Sequence, residues 1–94
     1  MIRSFACKET ARIFRRERSR RFPAGIQQRA LERLVSIHAA ISFADLRMPP
    51  GNRLEALRGD RGGSWSLRIN DQWRVCFRYE GGDAFDVEIV DYHN

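Results

Sequence analysis

Ninety-four residues, 43% of them apolar, suit one compact domain spanning 1–94 and leave too little chain for a second core. No apolar run reaches the length of a membrane span, and the first residues lack the apolar segment of a signal peptide, so a cytoplasmic protein with no membrane partner is expected. A net charge of +5 and a pI near 10.2 point to a polyanionic partner, whereas Cys7 and Cys76, far apart and outside any CxxC or Cys/His spacing, read as reduced thiols with no metal or disulfide role.

Met1 to Ala6 alternates loosely and predicts a short opening strand. Cys7 to Arg21 is helical in composition, with Ala11 and Phe14 on one side. Seven of the ten residues from Arg12 to Arg21 are Arg or Glu, and residues 1–47 carry eleven basic and four acidic side chains against six and eight in residues 48–94. Two readings of this run stand: a solvated helix face, or a patch facing phosphate or the ribosome. Pro23 opens a second helix, because its missing N–H would be unpaired there anyway. Ile26, Ala30, Leu34, Ile37 and Ile41 recur at helical spacing, widened by Leu31, Val35 and His38, which predicts an amphipathic helix with one face on a core. His38 reads as a packing histidine. Phe43 to Leu46 adds a turn, and the Met48-Pro49-Pro50-Gly51-Asn52 run ends helical structure. Arg53 to Leu57 is expected to be a strand, followed by a turn at 58–63.

The stretch after that turn carries the clearest pattern. Trp65, Leu67 and Ile69 alternate with Ser66, Arg68 and Asn70; Trp73, Val75, Phe77 and Tyr79 alternate with Arg74, Cys76 and Arg78. Such alternation is that of half-buried antiparallel strands. A three-residue loop, Asn70-Asp71-Gln72, keeps both faces consistent by pairing Ile69 with Trp73 and Arg68 with Arg74. Two opposed arginines repel, so an anion is the expected counterpart on this face. Glu80-Gly81-Gly82 makes a second turn, and Phe85, Val87 and Ile89 alternate with Asp86, Glu88 and Val90 in a last strand. A three-residue loop there sets Glu88 opposite Arg74, Asp86 opposite Cys76 and Tyr92 on the face of Arg74. A strand, two helices and about four antiparallel strands make an α+β domain with its helices on one sheet face.

The open face and its edges gather Arg68, Arg74, Arg78, Glu88 and Tyr92, with Asp91 and His93 following and Glu55 and Arg58 on the preceding strand. As a plain surface these are solvated Arg–Glu pairs. As a site they are the parts for RNA cleavage without a cofactor: the 2′-OH attacks the neighbouring phosphate, which needs a base, an acid for the leaving 5′-oxygen and cations for the developing charge. His93 lies where chain ends fray, so composition alone does not assign it a role. Trp65 and Trp73 are placed in the core rather than under RNA bases.

The run GNRLEALRGDRGGSWSLRINDQWRVCFRY, the MIRSF opening and the final VEIVDYH together resemble the HigB toxins of the RelE superfamily, over the whole chain. The resemblance implies a RelE-like fold, with N-terminal helices on one face of a mainly antiparallel sheet of four to five strands. It also implies a ribosome-dependent mRNA endonuclease that cuts codons in the ribosomal A site and arrests translation. The partners it implies are the ribosome with its mRNA and a helix-turn-helix antitoxin, with operator DNA contacted only through the antitoxin complex. Position by position, Arg74 matches the arginine that stabilises the scissile phosphate, and Asp91, Tyr92 and His93 match a terminal acid–tyrosine–histidine group, with His93 transferring a proton. Arg58 stands where some relatives have lysine, and Glu55 where one branch has a catalytic histidine, so the base is Glu55 or His93. Arg53, Arg61, Arg68 and Arg78 are the expected RNA-binding arginines. Two other classes remain: a gyrase-inhibiting toxin of the same superfamily without nuclease activity, against which the DYH ending counts, and a non-catalytic RNA- or ribosome-binding module.

Overall fold

A computed structural model describes residues 1–57 and 63–92. Helices α1 (Lys8–Phe14) and α2 (Ala24–Ala39) are followed by short 3-10 turns at Phe43–Arg47 and Pro50–Asn52. Strands β1 (Glu55–Ala56), β2 (Ser64–Arg68), β3 (Trp73–Glu80) and β4 (Asp83–Asp91) form an antiparallel sheet in the order β1-β2-β3-β4. The opening segment runs parallel to β4 through bridges Ile2↔Ala84 and Phe5↔Val87, with Arg3 N–H donating to the Ala84 carbonyl at 2.8 Å. No described helix is long and apolar enough to cross a membrane.

The helices cover one sheet face, as the alternation requires. Ala30, Leu34 and Ile37 of α2 are fully buried against Leu67, Val75 and Val87 of the sheet. Area removed from water by such side chains stabilises by roughly 25 cal/mol per Å² and outweighs weak local preferences. Aromatic side chains close the ends of this layer: Trp65 packs on Phe43 with ring centroids 4.5 Å apart, and Trp73 meets Phe22 edge-on at 5.7 Å. His38 packs beside Phe14 and accepts the Ile2 N–H at Nδ1, so it ties α2 to the opening segment. Buried Thr10 links α1 to β4 by accepting the Ile89 N–H at 3.0 Å.

Four features depart from the expectations. Helix α1 stops at Phe14 rather than Arg21, and Arg16 adopts a φ of 63°. Residues 15–21 contain no apolar side chain to hold a further turn on the core. Instead the Gln27 side chain fixes the loop, donating to the Ser19 and Phe22 carbonyls and accepting the Ser19 N–H. Ile41 is 86% exposed, because α2 ends at Ala39 and Ala40 is extended. The strand expected over Arg53–Leu57 is paired only at Glu55–Ala56, since Arg53 is left-handed.

The register of β4 is the fourth. The turn has two central residues, Gly81 and Gly82, both at positive φ, so Glu80 faces Asp83. A bulge then adds one residue at Asp86, whose φ is 54°. Glu88 therefore lies opposite Cys76 and Val90 opposite Arg74, correcting the expected Glu88–Arg74 and Asp86–Cys76 pairs. The two-residue turn also sets Phe85 opposite Arg78 and out of the core, with its ring 4.6 Å beneath the Arg78 guanidinium.

Candidate active site

Strand parity sends Glu55, Ser66, Arg68, Arg74, Cys76, Glu88 and Val90 to the sheet face away from the helices. Arg68 and Arg74 are directly opposed, as the sequence predicts. They do not, however, wait as a pair for an outside anion. Arg68 turns toward the Asp71 carboxylate in the loop. Arg74 turns inward and is only 9% exposed. The chain itself thus relieves the repulsion, and the opposed arginines alone are no evidence of a ligand.

Arg74 is held by oxygen atoms on two sides. Its Nε donates to Ser66 Oγ at 2.7 Å; Nη2 donates to the Arg53 carbonyl at 2.6 Å and, more weakly, to the Ser66 carbonyl at 3.4 Å. Nη1 lies 3.8 Å from Glu55 Oε1, and the guanidinium carbon is 6.0 Å from the centre of the Tyr92 ring. Hydrogen bonds to a charged donor in a part-buried setting are the stronger kind and keep this cation from being stranded. Glu55 remains largely exposed at the edge, and Tyr92 is half-exposed, its hydroxyl 3.7 Å from the Cys76 sulfur. A charged group below the surface is thereby flanked by a carboxylate and an aromatic ring open to solvent.

The other expected residues fall differently. Asp91 stands opposite Trp73, on the side of the sheet away from Arg74 and Tyr92, and its carboxylate accepts from Gln72 Nε2 at 3.2 Å. The Tyr92 N–H donates to the Gln72 carbonyl at 2.6 Å, so Gln72 holds both residues of this segment. Arg78 sits near Glu80 and Asp86, at 2.6 and 3.7 Å. The Arg53 side chain is exposed, while its carbonyl serves Arg74. Arg58, Arg61 and His93 lie outside the described residues. Parity puts Ser66 on this face, but nothing in the sequence marks so small a side chain as the one that meets an arginine on the next strand.

Away from the sheet face, Arg33 is half-buried with Nε donating to the Arg68 carbonyl at 2.8 Å, and burial lowers its pKa. Burial likewise raises the pKa of Tyr79. Neither group adjoins the Arg74 cluster.

Comparison with known proteins adds the family. Residues 3–93 match the family described as the RelE-like toxin of type II toxin–antitoxin system HigB. The chain is 33% identical over 93 residues to a Proteus vulgaris protein named endoribonuclease HigB, covering 99% of this chain and 100% of that one. It is 39% identical over 73 residues to a Vibrio cholerae serotype O1 protein named toxin HigB-1, covering 78% and 77% of the two chains. A third relative, an uncharacterized protein of Haemophilus influenzae, is 32% identical over 69 residues. An α+β domain of two helices on a four-stranded antiparallel sheet is consistent with that fold, and family membership implies an antitoxin as partner. The chain belongs to the HigB-like branch of the RelE-like toxins of type II toxin–antitoxin systems.

Proposed function

We propose that this toxin is an endoribonuclease that cuts mRNA on the ribosome, in the A site, and so arrests translation in the cytoplasm. One observation supports the reading above the others: a part-buried arginine, Arg74, anchored by its own chain, with a carboxylate 3.8 Å from Nη1 and an aromatic ring beside it. A relative covering the full chain is named an endoribonuclease, which agrees with it.

In this reading the ribose 2′-OH adjoining the scissile phosphate is the nucleophile. Glu55 takes the 2′-OH proton, a new bond forms from O2′ to phosphorus, and the bond to the 5′-oxygen breaks with a proton supplied by His93. The products carry a 2′,3′-cyclic phosphate and a 5′-hydroxyl. Arg74, with Arg58, stabilises charge on the phosphate oxygens, where fixed donors in a water-poor setting act most strongly. Tyr92 lies against the bound nucleotide, and Asp91, through Gln72, steadies the segment carrying Tyr92 and His93. Arg53, Arg61, Arg68 and Arg78 contact the RNA backbone. A helix-turn-helix antitoxin neutralises the toxin and carries the complex to operator DNA.

The experiment is a purified translation system with and without ribosomes. New mRNA ends that require ribosomes support the reading; cleavage of naked RNA at equal rate removes the ribosome from it. Trapped gyrase–DNA complexes with no RNA ends replace it by a gyrase inhibitor, and salt-sensitive ribosome binding without cleavage replaces it by a binding module.

A further inference from the structure

We propose that Ser66 is a positioning residue for cleavage: its hydroxyl fixes the roll of the Arg74 guanidinium so that Nη1 is the nitrogen turned to the scissile phosphate. The inference rests on the reading of Arg74 as the phosphate-stabilising group. An arginine at the end of a flexible stem has many rotamers, and a catalytic cation acts best when it is already oriented before the substrate arrives. Here the orientation is set from one side. Ser66 Oγ takes Nε at 2.7 Å, while the carbonyls of Arg53 and Ser66 take Nη2 at 2.6 and 3.4 Å. That edge of the guanidinium is committed to the protein. Nη1 is the nitrogen that points instead to Glu55, whose carboxylate is 60% exposed and therefore able to swing aside for a phosphate or toward a 2′-OH.

Ser66 is placed for this role by the sheet. It is 1% exposed, in the middle of β2, opposite Glu55 on one side and Cys76 on the other. An alanine would fill nearly the same space, so the hydroxyl adds an acceptor rather than packing. Ser66 directly faces Glu55 across the sheet, while Arg74, which stands opposite Arg68, reaches diagonally back to the serine hydroxyl.

The test is single-turnover mRNA cleavage on programmed ribosomes by Ser66→Ala, Ser66→Cys and Ser66→Thr, reading the maximal rate and the half-saturating toxin concentration separately. Losing an acceptor to a charged donor is expected to lower the maximal rate of the Ala and Cys variants about tenfold or more. Their half-saturating concentration stays near wild type, and Ser66→Thr, which keeps the hydroxyl, retains most of the rate. The Cys variant keeps an atom in the place of the hydroxyl, a thiol being a weak acceptor, and carries the test should the Ala variant fold poorly. In an Arg74→Lys background, which has no Nε donor, Ser66→Cys is expected to cost nothing further, whereas a merely structural serine gives losses that multiply. Wild-type maximal rate in Ser66→Cys beside an inactive Arg74→Ala overturns the positioning role alone. Full activity of Arg74→Ala overturns both this role and the reading it rests on.

Discussion

Arg74 Nη2 donates a 2.6 Å hydrogen bond to the carbonyl of Arg53, a residue held at φ 47° and ψ 67° in the left-handed region. A non-glycine residue there is strained, and such strain collects where a backbone group must be aimed. Here the aimed group is the carbonyl that caps the arginine. Arg53→Gly keeps that backbone without strain and is expected to leave stability unchanged or slightly higher. Arg53→Val, β-branched, is expected to cost about 1–3 kcal/mol. Urea unfolding of both variants checks the pair, and equal stability would mean that the Arg53 backbone is not constrained.

Thr10 is buried in α1 and accepts the Ile89 N–H of β4. Thr10→Val preserves shape but strands that N–H, which costs about 1–3 kcal/mol. The denaturation midpoint should fall accordingly, with amide exchange at Ile89 accelerated more than at Val75 in the sheet centre. An unchanged midpoint would show that the hydroxyl contributes nothing there.

The hydroxyl of Tyr79 is buried and has no hydrogen-bond partner among the described residues, and burial raises its pKa. Tyr79→Phe removes an unsatisfied group while keeping the ring that meets Phe43 and Phe77. Stability is expected to stay level or rise by up to about 1 kcal/mol. A loss of more than that in thermal unfolding would reveal a partner for the hydroxyl.

Gln27 holds the loop at 19–22 by three hydrogen bonds of its side-chain amide. Gln27→Leu leaves the α2 helix intact but releases those backbone groups. Cleavage between Arg16 and Arg21 by a dilute arginine-specific protease is expected to accelerate several-fold at native temperature, with the α2 helix still protected. Equal proteolysis of the two proteins would show that the loop is held by other contacts.

Much of the site was legible because strand parity is unforgiving. A one-residue slip between β2 and β3 would carry either Leu67 or Val75 into solvent, so Arg68↔Arg74 and the shared face of Tyr92 followed from alternation. Beyond the Gly-Gly turn the same logic lost its grip. The bulge at Asp86 is a backbone event at a residue with no glycine signature; with the shorter turn it gave Arg74 and Cys76 new partners, Val90 and Glu88, without moving Val87 or Ile89 from the core. Ile41 matched helical spacing, yet spacing carries no stop signal, and the helix ended before reaching it. What parity never reveals is depth. That Arg74 is drawn in by a serine hydroxyl and by the carbonyl of a left-handed residue depends on main-chain geometry that no side-chain pattern encodes. Asp91 shows the converse: adjacency to Tyr92 in sequence suggested one cluster, and alternation set it on the other side of the strand.

Arg74 is assigned to the scissile phosphate, and mapping mRNA termini in a ribosome-containing translation reaction is the decisive measurement of that role. Wild-type toxin is predicted to generate ends bearing 5′-hydroxyl and 2′,3′-cyclic phosphate, and folded Arg74→Ala to generate them at least about a hundredfold more slowly. The same ends at the same rate from Arg74→Ala would contradict it.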